Sequence, residues 1–208
     1  MALVRHDTDL WSAEYELAWQ GGLVPIPVRM TVIRLRSGEL VLHSPAPLVS
    51  ELRAELDALG PVRFLLVPAA HGRFAAATAQ AYPAAERLAD PGERWKEDLE
   101  SLRVGGFRLE EVVLFHRPSR TLVITDLCFN IQRSPHRLAR VFFRANGMWQ
   151  RFGPSRIIRA LAVSSRAELA RSLERIEAWD FARILPGHGD VVERPARTLL
   201  REAWRLPR

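Results

Sequence analysis

Met30 to His43 reads MTVIRLRSGELVLH, two apolar-rich stretches parted by Ser37-Gly38, and this predicts two strands joined by a short turn. After Pro45 and Pro47, Leu48, Leu52, Leu56 and Leu59 recur at helical spacing up to Gly60. A surface helix with one buried stripe is expected over Leu48–Leu59. Val62 to Val67, VRFLLV, is a short continuous apolar run of the kind seen in strands covered on both faces, and it stops at Pro68. Ala75 to Ala81 is a good helix former closed by Tyr82-Pro83. The first half therefore runs strand, strand, helix, strand, helix.

Beyond the turn at Asp90-Pro91-Gly92, Trp95 to Leu102 fits a helix or a loop. Glu111 to Phe115 and Thr121 to Leu127 are apolar segments around Arg117-Pro118-Ser119-Arg120, a second hairpin. Arg133 to Arg159 mixes arginines with Phe142, Phe143 and Trp149, as an amphipathic helical region with snorkelling arginines would. Ala167 to Trp179 places Leu169, Leu173, Ile176 and Trp179 on one helical face, with Ser165 as its N-cap. It leads into Arg183-Ile184-Leu185, a brief strand that ends at Pro186-Gly187-His188-Gly189-Asp190. No repeat or flexible linker divides the 208 residues, so one domain of mixed α/β layers is expected over residues 1–208.

Composition narrows this further. With 48% hydrophobic and 26% charged residues the chain is a globule and not a disordered segment. No run reaches the roughly 18 to 20 apolar residues of a membrane helix, and Arg5, His6, Asp7 and Asp9 stand where a signal peptide is apolar. A cytoplasmic protein without a membrane partner is the expectation. The single Cys128 removes a disulfide framework and a cysteine zinc cluster, so any metal must be held by histidine and carboxylate. The net charge is +6, but Lys96 is the only lysine among 30 basic residues, and these are scattered among 24 acidic ones. That argues against nucleic acid as a partner, since phosphate contacts need a clustered basic face.

Chemistry gathers at strand ends. Leu42 runs into His43, Val67 into a loop carrying His71, Thr125 into Asp126 and Leu185 into His188. Residues just past strand ends lie on the rim where layered α/β proteins bind ligands. Imidazole and carboxylate suit zinc, manganese or iron, and a catalytic centre needs about three such ligands with one position open. Each residue also has a plainer reading. His43 fits a loop-bonding histidine and Asp126 an N-cap, while His116, at a hairpin end, reads as structural and His6 and His136 have no supporting context.

Ile184-Leu185-Pro186-Gly187-His188-Gly189 resembles the late PGHG loop of the metallo-β-lactamase superfamily, and Leu122-Val123-Ile124-Thr125-Asp126 resembles the strand that ends in its metal-bridging aspartate. Phe64-Leu65-Leu66-Val67, followed by a loop with His71 and a helix, matches the position of its first metal loop. The chain looks most like the DUF4336 branch across roughly residues 20 to 195, most specifically in His116-Arg117-Pro118-Ser119-Arg120-Thr121-Leu122. The resemblance implies an αββα sandwich, two mixed sheets face to face with helices outside, and a metal-dependent hydrolase acting on a small molecule. Two departures stand out. Pro68-Ala69-Ala70-His71-Gly72-Arg73 replaces His-x-His-x-Asp-His, and Gly105-Gly106-Phe107 lacks the middle histidine. What remains implies one divalent ion (zinc, manganese or iron) on His43, His71, Asp126 and His188, with Asp126 or Asp190 accepting the proton. The alternative is a non-catalytic binding or interaction module that has lost its metal.

Overall fold

The computed structural model describes residues 1–19, 23–68, 71–193 and 195–205. Strands β1 (Val4–Asp7), β2 (Leu10–Trp19), β3 (Val24–Arg34), β4 (Leu40–His43), β5 (Val62–Leu66) and β6 (Glu86–Leu88) lie side by side in that order as one mixed sheet. A second mixed sheet has the order β12 (Arg183–Pro186), β9 (Thr121–Ile124), β8 (Val112–His116), β7 (Leu99–Arg103). A two-stranded ribbon joins β10 (Phe129–Asn130) to β11 (Phe152–Gly153).

Side-chain alternation builds the layers. Ile33, Val41, Phe64 and Leu66 of the first sheet meet Leu99, Val112, Leu114, Val123 and Leu185 of the second in one apolar core. The opposite face of the first sheet, with Met30, Val32, Leu42 and Leu65, receives Leu52 and Leu56 of helix α1 (Ser50–Leu59). The outer face of the second sheet, with Val113, Phe115, Leu122 and Ile184, is covered by α5 (Arg166–Glu177) and α6 (Ala196–Ala203). The architecture is thus helix, sheet, sheet, helix, the αββα sandwich that the resemblance implies. Ser165 caps α5, its hydroxyl accepting from the Glu168 amide.

The differences are local and have physical causes. β3 begins at Val24, well before Met30, and includes Pro25 and Pro27. Prolines are tolerated there because β4 pairs only with Thr31 to Arg34, so the ladder on that side of β3 stops short of Pro25 and Pro27. Trp95–Leu102 is neither helix nor loop throughout, since Leu99 to Arg103 pair antiparallel with β8. The amphipathic region after Arg133 is two helices, α3 (Arg137–Ala145) and α4 (Arg156–Leu161). Gly147 in the left-handed region and the Gly153-Pro154 step separate them. Helix α2 (Ala75–Ala81) has the predicted bounds.

Candidate metal centre

β9 and β12 are parallel neighbours in register, with Pro186 opposite Ile124. The chain leaves both strands on the same rim, so Asp126 and His188, each two residues past a strand end, emerge together. His71 reaches them from the loop after β5. His188 Nε2 lies 3.2 Å from Asp126 Oδ1, and His71 Nε2 lies 3.4 Å from Asp126 Oδ2. The ligand atoms of the three side chains all fall within 4.8 Å of one another. The side chains are 6% exposed at His71, 13% at Asp126 and 8% at His188.

The surroundings fix these groups. His188 Nδ1 is 2.8 Å from the Pro27 carbonyl, and its ring stacks on Phe129 at 4.9 Å between centroids. Gly187 and Gly189 are needed on either side. A Cβ on Gly187 would lie 3.1 Å from the Thr125 Cα, and one on Gly189, whose φ is +91°, would lie 2.2 Å from the Asn130 carbonyl oxygen. Beneath the loop, buried Arg29 donates to the carbonyls of Pro186 and Gly189 and pairs with Glu14. Buried Glu111, just before β8, accepts from the amides of Thr125 at 2.6 Å and Asp126 at 2.9 Å, and from the Thr125 hydroxyl.

Charge follows this geometry. Burial alone would raise the Asp126 carboxyl, but the His188 and His71 rings hold it well below the usual carboxylate range. Burial and the Asp126 charge push Glu111 up to about 7, against the three hydrogen bonds it accepts.

The structure does not bring every candidate residue together. His43 is buried on the inter-sheet side of β4, beside Leu66, Val112 and Leu114, and stands apart from the trio. Strand alternation puts it on the same face as Val41, inside the core. Burial, then the His71 charge, lowers it to about 3, and its Nε2 has no hydrogen-bond partner among the described residues. Asp190 is turned outward by backbone pairing with Asn130 and bonds Arg133 at 3.1 Å. His116 ends β8 on the opposite rim and contacts Ser119. Ala69 and Ala70 lie outside the described residues. At Gly105–Phe107, Gly106 packs against the start of α5 and Phe107 against Trp204, so this turn serves the core. Sequence reasoning missed Arg29 and Glu111 as supports. Their signal was a charge within an apolar strand at Arg29 and one abutting the head of an apolar strand at Glu111.

An apolar cavity of about 240 Å³ opens beside the trio, walled by Leu17, Ile26, Val28, Phe129, Met148 and Ile158. Tyr15 and Arg73 add polar groups to it. Burial pushes the Tyr15 phenol up to about 12, which keeps it a neutral donor.

The chain superposes on a metallo-β-lactamase from Pontibacter korlensis with a TM-score of 0.59 at 12% identity, covering 96% of this chain and 98% of that one. A metallo-β-lactamase from Erythrobacter litoralis gives 0.61 at 15% identity, over 97% and 94%. The flavodiiron core Flv1 from Synechocystis sp. PCC6803 gives 0.64 at 11% identity, over 97% of this chain and 59% of that one. The chain is therefore a metallo-β-lactamase-fold protein. More particularly, residues 8–96 match DUF4336, a domain of unknown function, a shorter span than the resemblance read from the sequence. No curated protein matches the chain.

Proposed function

We propose that the protein is a metal-dependent hydrolase whose single divalent cation is held by His71, Asp126 and His188. One observation carries this reading. The Pro27 carbonyl can only accept, so His188 Nδ1 must donate to it. In the neutral ring Nε2 then presents a lone pair to the Asp126 oxygen 3.2 Å away. Two acceptors face each other at that distance only with a cation between them or a further proton on the ring. Ligand atoms on a tetrahedron with bonds of about 2.0–2.1 Å stand about 3.3 Å apart, which the 3.2 and 3.4 Å separations match.

A divalent cation there supplies Lewis-acid polarisation of a carbonyl or phosphoryl oxygen and acidifies water. The chain's own residues do the rest. The Pro27 carbonyl fixes the His188 tautomer, as outer partners of metal-binding histidines commonly do. Glu111 fixes the turn at Asp126, and the cavity holds the apolar part of an ester, amide or phosphoester while excluding water. Both Asp126 oxygens face histidines, and Asp190 forms a surface ion pair with Arg133.

Metal titration of chelator-stripped protein with zinc or manganese, followed by assay against acyl and phosphate esters, tests the reading. One equivalent, lost in His188→Ala, together with chelator-sensitive hydrolysis, supports it. Two tightly held equivalents overturn the one-ion centre, and none at millimolar metal leaves the non-catalytic module.

A further inference from the structure

Between Asp126 and Glu168 the chain holds no acidic residue and eight arginines: Arg133, Arg137, Arg140, Arg144, Arg151, Arg156, Arg159 and Arg166. Elsewhere 22 basic residues face all 24 acidic ones, so the positive charge of the protein resides in this segment. From Arg133 to Leu161 it folds as the α3–α4 cap over the cavity, while Arg166 begins α5. Only Arg133 has a carboxylate partner among the described residues.

The same cap exposes aliphatic side chains in register. On α3, Leu138 is 64% and Val141 63% exposed; on α4, Ile157 is 40% and Leu161 70% exposed. Leu138, Val141 and Phe142 share one helical face, and Ile157 and Leu161, four apart, share another. Phe142 and Ile157 also line the cavity beside the His71, Asp126 and His188 trio. The two exposed stripes therefore meet at the cavity wall.

We propose that the α3–α4 cap docks onto an anionic lipid bilayer, its aliphatic stripes entering the interface and its arginines meeting the headgroups. Apolar faces flanked by arginine are the pattern of interfacial helices. Other occupants fit less well. A symmetric contact with a second copy through this face would set unpaired arginines against arginines. Nucleic acid is served by stacking aromatics, whereas the large exposed hydrophobic side chains between these arginines are leucine, valine and isoleucine. Read along the sequence, Arg133 to Arg159 is an amphipathic helical region with snorkelling arginines; the absence of acidic residues between Asp126 and Glu168 sets it apart from the rest of the chain. If the hydrolase reading also holds, docking sets the cavity against the bilayer and points to an amphiphilic substrate.

The test is cosedimentation of the full chain, stripped of metal, with phosphatidylcholine vesicles containing about 30% phosphatidylserine. Binding is expected, with loss on pure phosphatidylcholine and at high salt. Removing two arginines without a carboxylate partner, Arg137→Gln with Arg151→Gln, lowers partitioning roughly 25-fold, since each basic residue at such a surface contributes about fivefold. Leu138→Ser with Val141→Ser, both at exposed positions, weakens it as well, while His188→Ala leaves it unchanged and so separates docking from the metal reading. No binding to anionic vesicles at physiological salt overturns the proposal, as does binding that both double variants leave intact. Tight binding of single-stranded RNA without binding to vesicles overturns it in favour of nucleic acid.

Discussion

His188 is held through its Nδ1 by the carbonyl of Pro27, a residue 161 positions away on the other sheet, at 2.8 Å. The contact aims Nε2 at Asp126 in advance and joins the two sheets at the site. Binding of a cation there thus stabilises the folded chain alone, since the three ligands come from distant parts of the sequence. At a hundredfold excess over Kd the gain is about 2.7 kcal/mol. For a chain of this size that raises Tm by roughly 5–10 °C. Thermal melts with zinc or manganese should show the shift in the wild type and none in His188→Ala, with chelator abolishing it. An equal shift in the variant would place the ion elsewhere.

Arg29 is the second brace of the His188 loop. It is 2% exposed and donates to the carbonyls of Pro186 and Gly189 while pairing with Glu14, itself half exposed. Arg29→Met keeps the apolar stem but leaves both carbonyls without this donor. A buried polar group stripped of its partner costs about 1–3 kcal/mol, so a loss of roughly 2–4 kcal/mol in chemical denaturation is expected. Metal affinity should fall in the variant under conditions where it remains folded. Glu14→Gln, at the exposed end of the pair, should change stability by less than about 1 kcal/mol.

Glu111 does for Asp126 what Arg29 does for His188. Its carboxylate gathers the amides of Thr125 and Asp126 and the Thr125 hydroxyl. In Glu111→Ala three buried donors lose their acceptor, and unfolding free energy should drop by roughly 3 kcal/mol or more. Glu111→Gln keeps one acceptor oxygen and should recover part of the loss. Equal stability of all three proteins would show that the turn at Asp126 is held by the strand pairing alone.

These supports explain which parts of the site were readable in the sequence. His71, Asp126 and His188 were legible because each follows an apolar strand run, and β9 and β12 carry their end residues to one rim whatever the loops do. The hairpins, Ala75–Ala81 and the Ser165 cap were legible for the same reason: local pattern and local structure coincide there. β2 and the early part of β3 were not, since Pro25 and Pro27 disguise a strand that has a partner strand on one side only. His43 misled because a strand-end position does not say which face the side chain takes. That is decided by parity along β4, which puts it with Val41 in the inter-sheet core. The acid-free cap was visible as composition, yet only the fold, which brings Phe142 of α3 and Ile157 of α4 to one cavity, turns it into a surface.

His43 provides the pH-dependent prediction. Burial, then the His71 charge, lowers it from the ordinary 6.5 to about 3, and burial likewise lowers His6 to about 4. A depressed imidazole stays neutral in the folded chain while the unfolded chain takes up its proton below about pH 6.5. The unfolded state then binds more protons, so stability rises with pH across this window. The contribution is complete above about 6.5 and is lost progressively as pH falls toward 3. At pH 5 the His43 share is on the order of 2 kcal/mol, from 1.36 kcal/mol per pH unit. His43→Leu removes the titrating group from a position where Nε2 has no partner, so it should match or exceed the wild type at pH 8 and lead it by roughly that amount at pH 5. Urea denaturation at the two pH values measures the difference. Metal uptake should be unchanged, because the ring stands outside the trio; loss of uptake in this variant would make His43 a ligand after all.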